Sequence, residues 1–470
     1  MRKKWITCLS GLLLVSCHQK EDNQKSQMII PREWRFVENT DDYSVNKNWW
    51  KSLDDPVLVS LIDEAIENNR DVLMATSRIL QFQEQHAQVK AQYWPSLNLQ
   101  TSYDHLGLSK SVDYQPVSPK INRKQDLYNL LLNFSYEIDF WGRIRKSSEA
   151  ALYEYLSKVE ARRYLLVSLV SQLTTSYVQL KQYDNQRTVA ALTQQSREGS
   201  LKIALTRYKS GLVSLMEVKQ AEAELKVASQ QLHIYEKLVS LQENLINLLM
   251  GRSSEKIERG PLLLKNLALP SIPAGLPSDL LKNRPDIREA EQLLQSAQAR
   301  IGVARAVFFP RISLTGIHGQ RSTDLSDLLK NPANTFDYAI QGVLSLFQGG
   351  ALNAQLRQAQ HKAKEALFFY EQKVLTAFKE VEDALVSHDK AKKILEIRQQ
   401  QVTDLQDYVN LANLRYANGQ NDYLTVLDSQ KSLFNAQLEK AQSEADVYNT
   451  LIAVYKALGQ GWDSEMGCSS

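Results

Sequence analysis

Three cysteines in 470 residues, at positions 8, 17 and 468, are too few and too scattered for a disulfide framework or a metal site. An excess of one charge is missing as well. Lys and Arg number 56 against 53 Asp and Glu, and Arg2, Lys3 and Lys4 supply the whole difference, so nothing points to a nucleic-acid partner. Catalytic signatures are absent: there is no Gly-x-x-x-x-Gly-Lys, His-Glu-x-x-His, Cys-x-x-Cys or Gly-x-Ser-x-Gly, and the seven histidines are scattered. The expectation is therefore a non-enzyme without metal or diffusible cofactor. Glycine and proline are scarce, at 18 and 12, and from Trp141 onward Ala, Leu, Gln, Glu, Lys and Ser dominate, a composition that favours long helices.

The chain opens with Arg2, Lys3 and Lys4, an apolar run from Trp5 to Val15, and "LVSC" at Leu14 to Cys17. Residues 1–16 read as a secretory signal, too short to span a membrane. The Leu-Val-Ser-Cys quartet resembles the bacterial lipobox. That resemblance implies a mature chain starting at Cys17, carrying a diacylglycerol thioether and an N-acyl chain, on a polar tether over 17–48. Three acyl chains anchor firmly where one binds marginally. His18 is not the Asp that retains such proteins at the inner membrane, which favours the outer one.

The body of the chain is duplicated. "RYKSG" at Arg207 to Gly211 returns as "RYANG" at Arg415 to Gly419, 208 residues on, and "LLMG" ending at Gly251 returns as "KALG" ending at Gly459 with the same spacing. "FWG" from Phe140 matches "FQG" from Phe347 at 207, and Pro95 matches Pro310 at 215. "NNRD" at Asn68 to Asp71 faces "KNRPD" at Lys282 to Asp286. The units are placed at 49–259 and 278–462, with a proline-rich connector at 260–277 and a polar tail at 463–470.

Each unit begins with a helix, such as Asp71 to Gln92, and changes period at its proline. Leu97, Leu99, Thr101 and Tyr103 alternate with Asn98, Gln100, Ser102 and Asp104. A second strand alternates from Tyr128 to Phe140. The later unit repeats the pattern with Ile312 and Leu314, then Phe336, Tyr338, Ile340, Leu344 and Leu346. Four strands of about ten residues with aromatic ends suit a membrane β-barrel. Four cannot close one, so several chains must contribute. From Gly142 to Gly211 and from Gly211 to Gly251 nothing breaks a helix, giving rods of about 100 and 60 Å. Val218, Leu225, Leu232, Val239 and Ile246 recur every seven residues, and Leu427, Phe434, Ala441, Tyr448 and Tyr455 do so in the second unit, as coiled-coil seams.

Taken together, "WWKSLDDPVLVSLIDEAIENN" from Trp49, the proline-led strands, the Phe-x-Gly strand ends, the Arg-Tyr-x-x-Gly tips and the duplication resemble the TolC-like outer-membrane factor family, in its lipidated efflux branch. The resemblance implies a mainly α protein with a membrane β-barrel. In that fold a homotrimer gives four strands per chain to a twelve-stranded barrel, continued by a long periplasmic α-barrel. It implies a passive exit duct for drugs or other small toxic compounds, docked to a periplasmic adaptor protein and an inner-membrane transporter. Two other readings stay open: the outer-membrane component of type I protein secretion, and a structural coiled-coil lipoprotein without a pore.

The resemblance also implies a gate. Positioned from Gly419, Leu424 forms an apolar ring and Asp428 an acidic one, four residues apart on one helix face. Tyr416 reaches toward Glu217 as a tip latch, and Gly211 and Gly419 make the hairpin bends. Asn421 stands where some members carry an Arg, so a cationic latch is not expected there.

Overall fold

The computed structural model describes residues 48–107, 109, 111, 124–262 and 277–461. Cys17 with the signal and tether, most of the connector and the polar tail lie outside the described residues. Each unit has the same order of elements. The first holds α1 (Pro56–Asn68), α2 (Arg70–Ala91), β1 (Ser96–Gly107), β2 (Lys124–Ile138), α3 (Arg143–Lys209) and α4 (Leu215–Met250). The second holds α5 (Pro277–Asn283), α6 (Pro285–Ala306), β3 (Arg311–Ser322), β4 (Asn334–Val343), α7 (Ala351–Ala417) and α8 (Tyr423–Ala457).

The long helices end where the repeated sequence marks stand. After Lys209, Gly211 N–H donates to Tyr208 O at 2.9 Å and Leu212 N–H to Arg207 O at 2.9 Å; after Ala417, Gly419 N–H donates to Tyr416 O at 3.1 Å and Gln420 N–H to Arg415 O at 2.9 Å. Both glycines take positive φ, +69° and +68°, the left-handed geometry this cap requires and a Cβ disfavours. Gly142 precedes α3 and Gly350 precedes α7, a spacing of 208, so the structural repeat pairs Gly142 with Gly350 rather than with Gly349 of the Phe-x-Gly motif.

The duplication extends to side chains of different chemistry. Asn69 caps α2 and donates through Nδ2 to Leu249 O at 2.7 Å; its counterpart Arg284 donates through Nη1 to Ala457 O at 2.9 Å. Each ties the start of its unit to the last turn of its returning helix. Arg284 is fully buried and also pairs with Asp286 and Glu380, which offset the loss of hydration.

One core joins the units. Trp49 stacks on Tyr455, with ring centres 4.9 Å apart, so the turn that opens the first unit is clamped to α8. Asp55 caps α1 and accepts hydrogen bonds from the Tyr177 hydroxyl at 2.9 Å and the Leu262 amide at 3.2 Å. Below this core, α3 packs on α4 and α8, and α7 on α8. Most seam residues are buried in these contacts: Val218, Val239 and Ile246, with Leu225 and Leu232 between them half-buried, and in the second unit Leu427, Phe434, Ala441, Tyr448 and Tyr455. Helices of 35 to 67 residues make rods of about 50 to 100 Å, too long for any single globular core.

The four strands form one antiparallel sheet in the order β1-β2-β3-β4. The two units meet at β2–β3, where Phe134 faces Gly316 and Leu132 faces His318. Gly319 is required there, because a Cβ would lie 2.1 Å from Leu130 O. Two strands end earlier than the alternation suggested: Phe140 lies beyond β2, and Leu344 and Leu346 lie beyond β4. Val343 pairs with Arg311, so the next rung of β4 falls at Pro310, which has no N–H to donate; Ile138 pairs with Ile312, so in the β2–β3 register Pro310 stands opposite Phe140, two rungs on.

Candidate functional site

Two regions carry the functional geometry: the sheet and the hairpin tips. On one face of the sheet lie Leu97, Leu99, Tyr103, Leu130, Leu132, Phe134, Tyr136, Ile138, Ile312, Leu314, Phe336, Tyr338 and Ile340. Among the described residues no α-helix packs along this face, and Tyr338 and Ile340 are 69% and 77% exposed. The opposite face is polar. Arg321 donates to Asn129 at 2.8 Å, Asn129 to Ser102 and Asp104 at 3.0 and 3.1 Å, and Asn133 to Gln100 at 3.1 Å. A naked apolar face backed by a hydrogen-bonded polar one is the arrangement of a strand wall with lipid outside and water inside. Ile138 to Tyr128 spans about 33 Å along the strand, or about 25 Å of height at barrel tilt, which matches a membrane's apolar thickness. At the helical end Trp141 stacks on Phe309, with centroids 4.6 Å apart, and meets Phe140 edge to face at 4.7 Å, and its Nε1 donates to Pro310 O at 2.8 Å. Tyr103 and Tyr128 stack at 4.9 Å toward the far end. Aromatic girdles at both edges suit a headgroup boundary. No helix among the described residues is long and apolar enough to cross a membrane.

At the other end of the molecule the two hairpin tips meet. Asp422 caps α8, accepting from the Thr425 amide at 3.1 Å and its hydroxyl at 2.7 Å. In the turns that follow, Tyr423, Val426, Leu427 and Ser429 are buried against the neighbouring helices, whereas Leu424 and Asp428 point away. Leu424 is 59% exposed. The two residues lie on one face, four apart, and nothing among the described residues covers them.

Tyr416 and Glu217 come together. The Tyr416 hydroxyl donates to Glu217 Oε2 at 2.9 Å, linking the end of α7 to the first turn of α4. The Arg207 guanidinium sits over the Tyr416 ring at 4.7 Å, and Tyr423 lies 5.4 Å from it on the other helix. Burial, together with the Glu217 carboxylate, pushes the Tyr416 hydroxyl up to about 12, so it remains a donor. Asn421 is half-buried.

Sequence reasoning missed a second tie. Arg197 of α3 is 4% exposed, donates through Nη1 to Gln430 of α8 at 2.7 Å, and lies 3.7 Å from Glu224 of α4. Burial lowers its pKa while Glu224 opposes the shift. The signal was present: Tyr183, Ala190, Arg197 and Ala204 recur every seven residues, and a charge at such a seam position marks a specifying contact. Among the described residues no group of His, Cys, Asp and Glu is arranged to hold a metal.

Comparison with known proteins settles the family. The model of the outer membrane efflux protein family matches residues 61–252 and 276–460, that is, both repeat units. The chain belongs to the outer membrane efflux protein family. It is 35% identical to the solvent efflux pump outer membrane protein SrpC of Pseudomonas putida, over 98% of this chain and 99% of that one. It is 30% identical to the pyoverdine export outer membrane protein OpmQ of Pseudomonas aeruginosa, over 99% and 98%. Its fold superposes on the outer-membrane channel OprN with a TM-score of 0.83 at 27% identity, covering 93% of this chain and 98% of the channel. An outer membrane efflux protein therefore has its sheet in the outer membrane and its long helices below, and its relatives are channels rather than enzymes.

Proposed function

We propose that this outer membrane efflux protein is the passive exit duct of a tripartite pump. It works as a homotrimer whose three four-stranded sheets close one twelve-stranded barrel. The observation that carries this reading is the sheet: β1 and β4 are open edges, and edges cannot stand unpaired in hydrocarbon. A periplasmic adaptor protein and an inner-membrane transporter complete the pump and supply the energy. The cargo is small and poorly water-soluble, a class supported by relatives named for solvent, toluene and antibiotic efflux. Cys17 carries the lipid anchor.

At the tips, three copies of Leu424 and Asp428 form stacked rings that narrow the pore. An exposed leucine beside an exposed carboxylate has no role within one chain, and ring formation gives both a partner. Tyr416 and Glu217 hold each second-unit hairpin against the first. The reading is tested by deleting the gene and measuring dye accumulation and susceptibility to hydrophobic toxicants. Increased accumulation and susceptibility are expected. Unchanged susceptibility, together with loss of a protein from the medium, would instead place the duct in protein secretion.

A further inference from the structure

Along the contact between α3 and α8, the two units are joined mostly by amides. Gln186 Nε2 donates to Leu438 O at 3.1 Å, Asn185 Nδ2 donates to Glu444 at 3.2 Å, and Gln182 donates to Gln442. The amide side chains among them carry donors and acceptors together, so they re-pair readily when one helix slides past another. The rung nearest the tips is different. Arg197, ten residues or about 15 Å above Arg207, inserts a guanidinium between α3, α4 and α8.

That guanidinium is held unequally. Glu224 belongs to the same hairpin as Arg197 and stays beside it whatever α8 does, so the buried charge is never abandoned. Gln430 is a neutral hydrogen-bond acceptor on α8, two residues beyond Asp428, and Tyr423 of the same helix lies close by as a neutral neighbour. Parting Arg197 from Gln430 therefore costs one charge-assisted hydrogen bond but strands no charge on the moving helix. We propose that Arg197 is a positioning residue of the gate: its contact with Gln430 holds α8, and with it Leu424 and Asp428, in the pore-narrowing orientation and is the contact that parts on opening. The inference rests on the gate reading of Leu424 and Asp428.

The test uses the full-length protein in planar bilayers and varies Gln430, which is half-buried and tolerates exchange more readily than the buried arginine. Gln430→Leu removes the acceptor and should raise open occupancy about tenfold, the factor expected for a charge-assisted bond. Gln430→Glu substitutes a carboxylate and should lower open occupancy below that of the wild type, an effect that general loosening of the bundle would not produce. Arg197→Met combined with Gln430→Leu should open the channel no more than Gln430→Leu alone, because both remove one contact. Wild-type behaviour of both Gln430 variants, alongside raised conductance in Leu424→Ala with Asp428→Ala, overturns the role of Arg197 and leaves the gate standing. Unchanged conductance in that double variant overturns the gate, and the proposal with it.

Discussion

Replacing Tyr416 by Phe removes one hydroxyl and leaves its ring contacts with Tyr423 and Arg207 available. What is lost is the 2.9 Å hydrogen bond to Glu217. A hydrogen bond to a charged acceptor contributes about 1.5–3 kcal/mol, and half-burial at the tip puts the expected loss near the lower end, about 1–2 kcal/mol. Since about 1.4 kcal/mol is a factor of ten, a gate open about 1% of the time would become open about 10% of the time. Glu217→Gln keeps a neutral acceptor and should cost less, about 0.5–1 kcal/mol. Single-channel recording in planar bilayers reads this as open occupancy, in the order Tyr416→Phe above Glu217→Gln above wild type. A Tyr416→Phe channel with the occupancy of the wild type would refute the latch, since the substitution removes nothing else of consequence.

The two faces of the sheet should respond oppositely to charge. Leu132→Lys places an ammonium on the apolar face at a cost of about 2–4 kcal/mol near the bilayer midplane, whereas Asn133→Lys on the polar face should be tolerated; outer-membrane yield of assembled protein separates the two, and equal yields would contradict the assignment of faces. His388 is 3% exposed, with Nδ1 3.1 Å from the Thr450 hydroxyl, and burial, aided by Lys392, pushes its pKa down from 6.5 to about 4. The unfolded chain takes up this proton below about pH 6.5 and the folded chain only below about 4, so stability falls as pH drops through that interval, by about 3 kcal/mol in full. Thermal unfolding followed by circular dichroism should show the loss between pH 7 and pH 4, and His388→Asn should flatten it.

Much of the fold was legible because its signals are local. Helix reversal requires a left-handed residue, so the glycines at 211 and 419 reported the tips directly, and a period of two separated Leu97 and Leu99 from Asn98 and Gln100. The strand ends differ from the expectation because alternation continues through Phe140, Leu344 and Leu346 while pairing does not; Pro310, just before β3, falls opposite Leu344 and Phe140, a cross-strand effect that no single segment contains. The face shared by Leu424 and Asp428 followed from spacing, and the contact of Tyr416 with Glu217 from the duplication and the family resemblance. Arg197 is hidden in the sequence because a seam shows as an apolar repeat, and an arginine between Ala190 and Ala204 interrupts one.

The most direct test of the account is the conductance of the full-length protein in a planar bilayer, compared with that of Leu424→Ala combined with Asp428→Ala. A duct closed by stacked rings at its helical tips predicts small, rarely open events in the wild type and a marked rise in conductance in the double variant. Equal conductance in the two would contradict closure at this point, and the absence of any channel in either would contradict the duct itself.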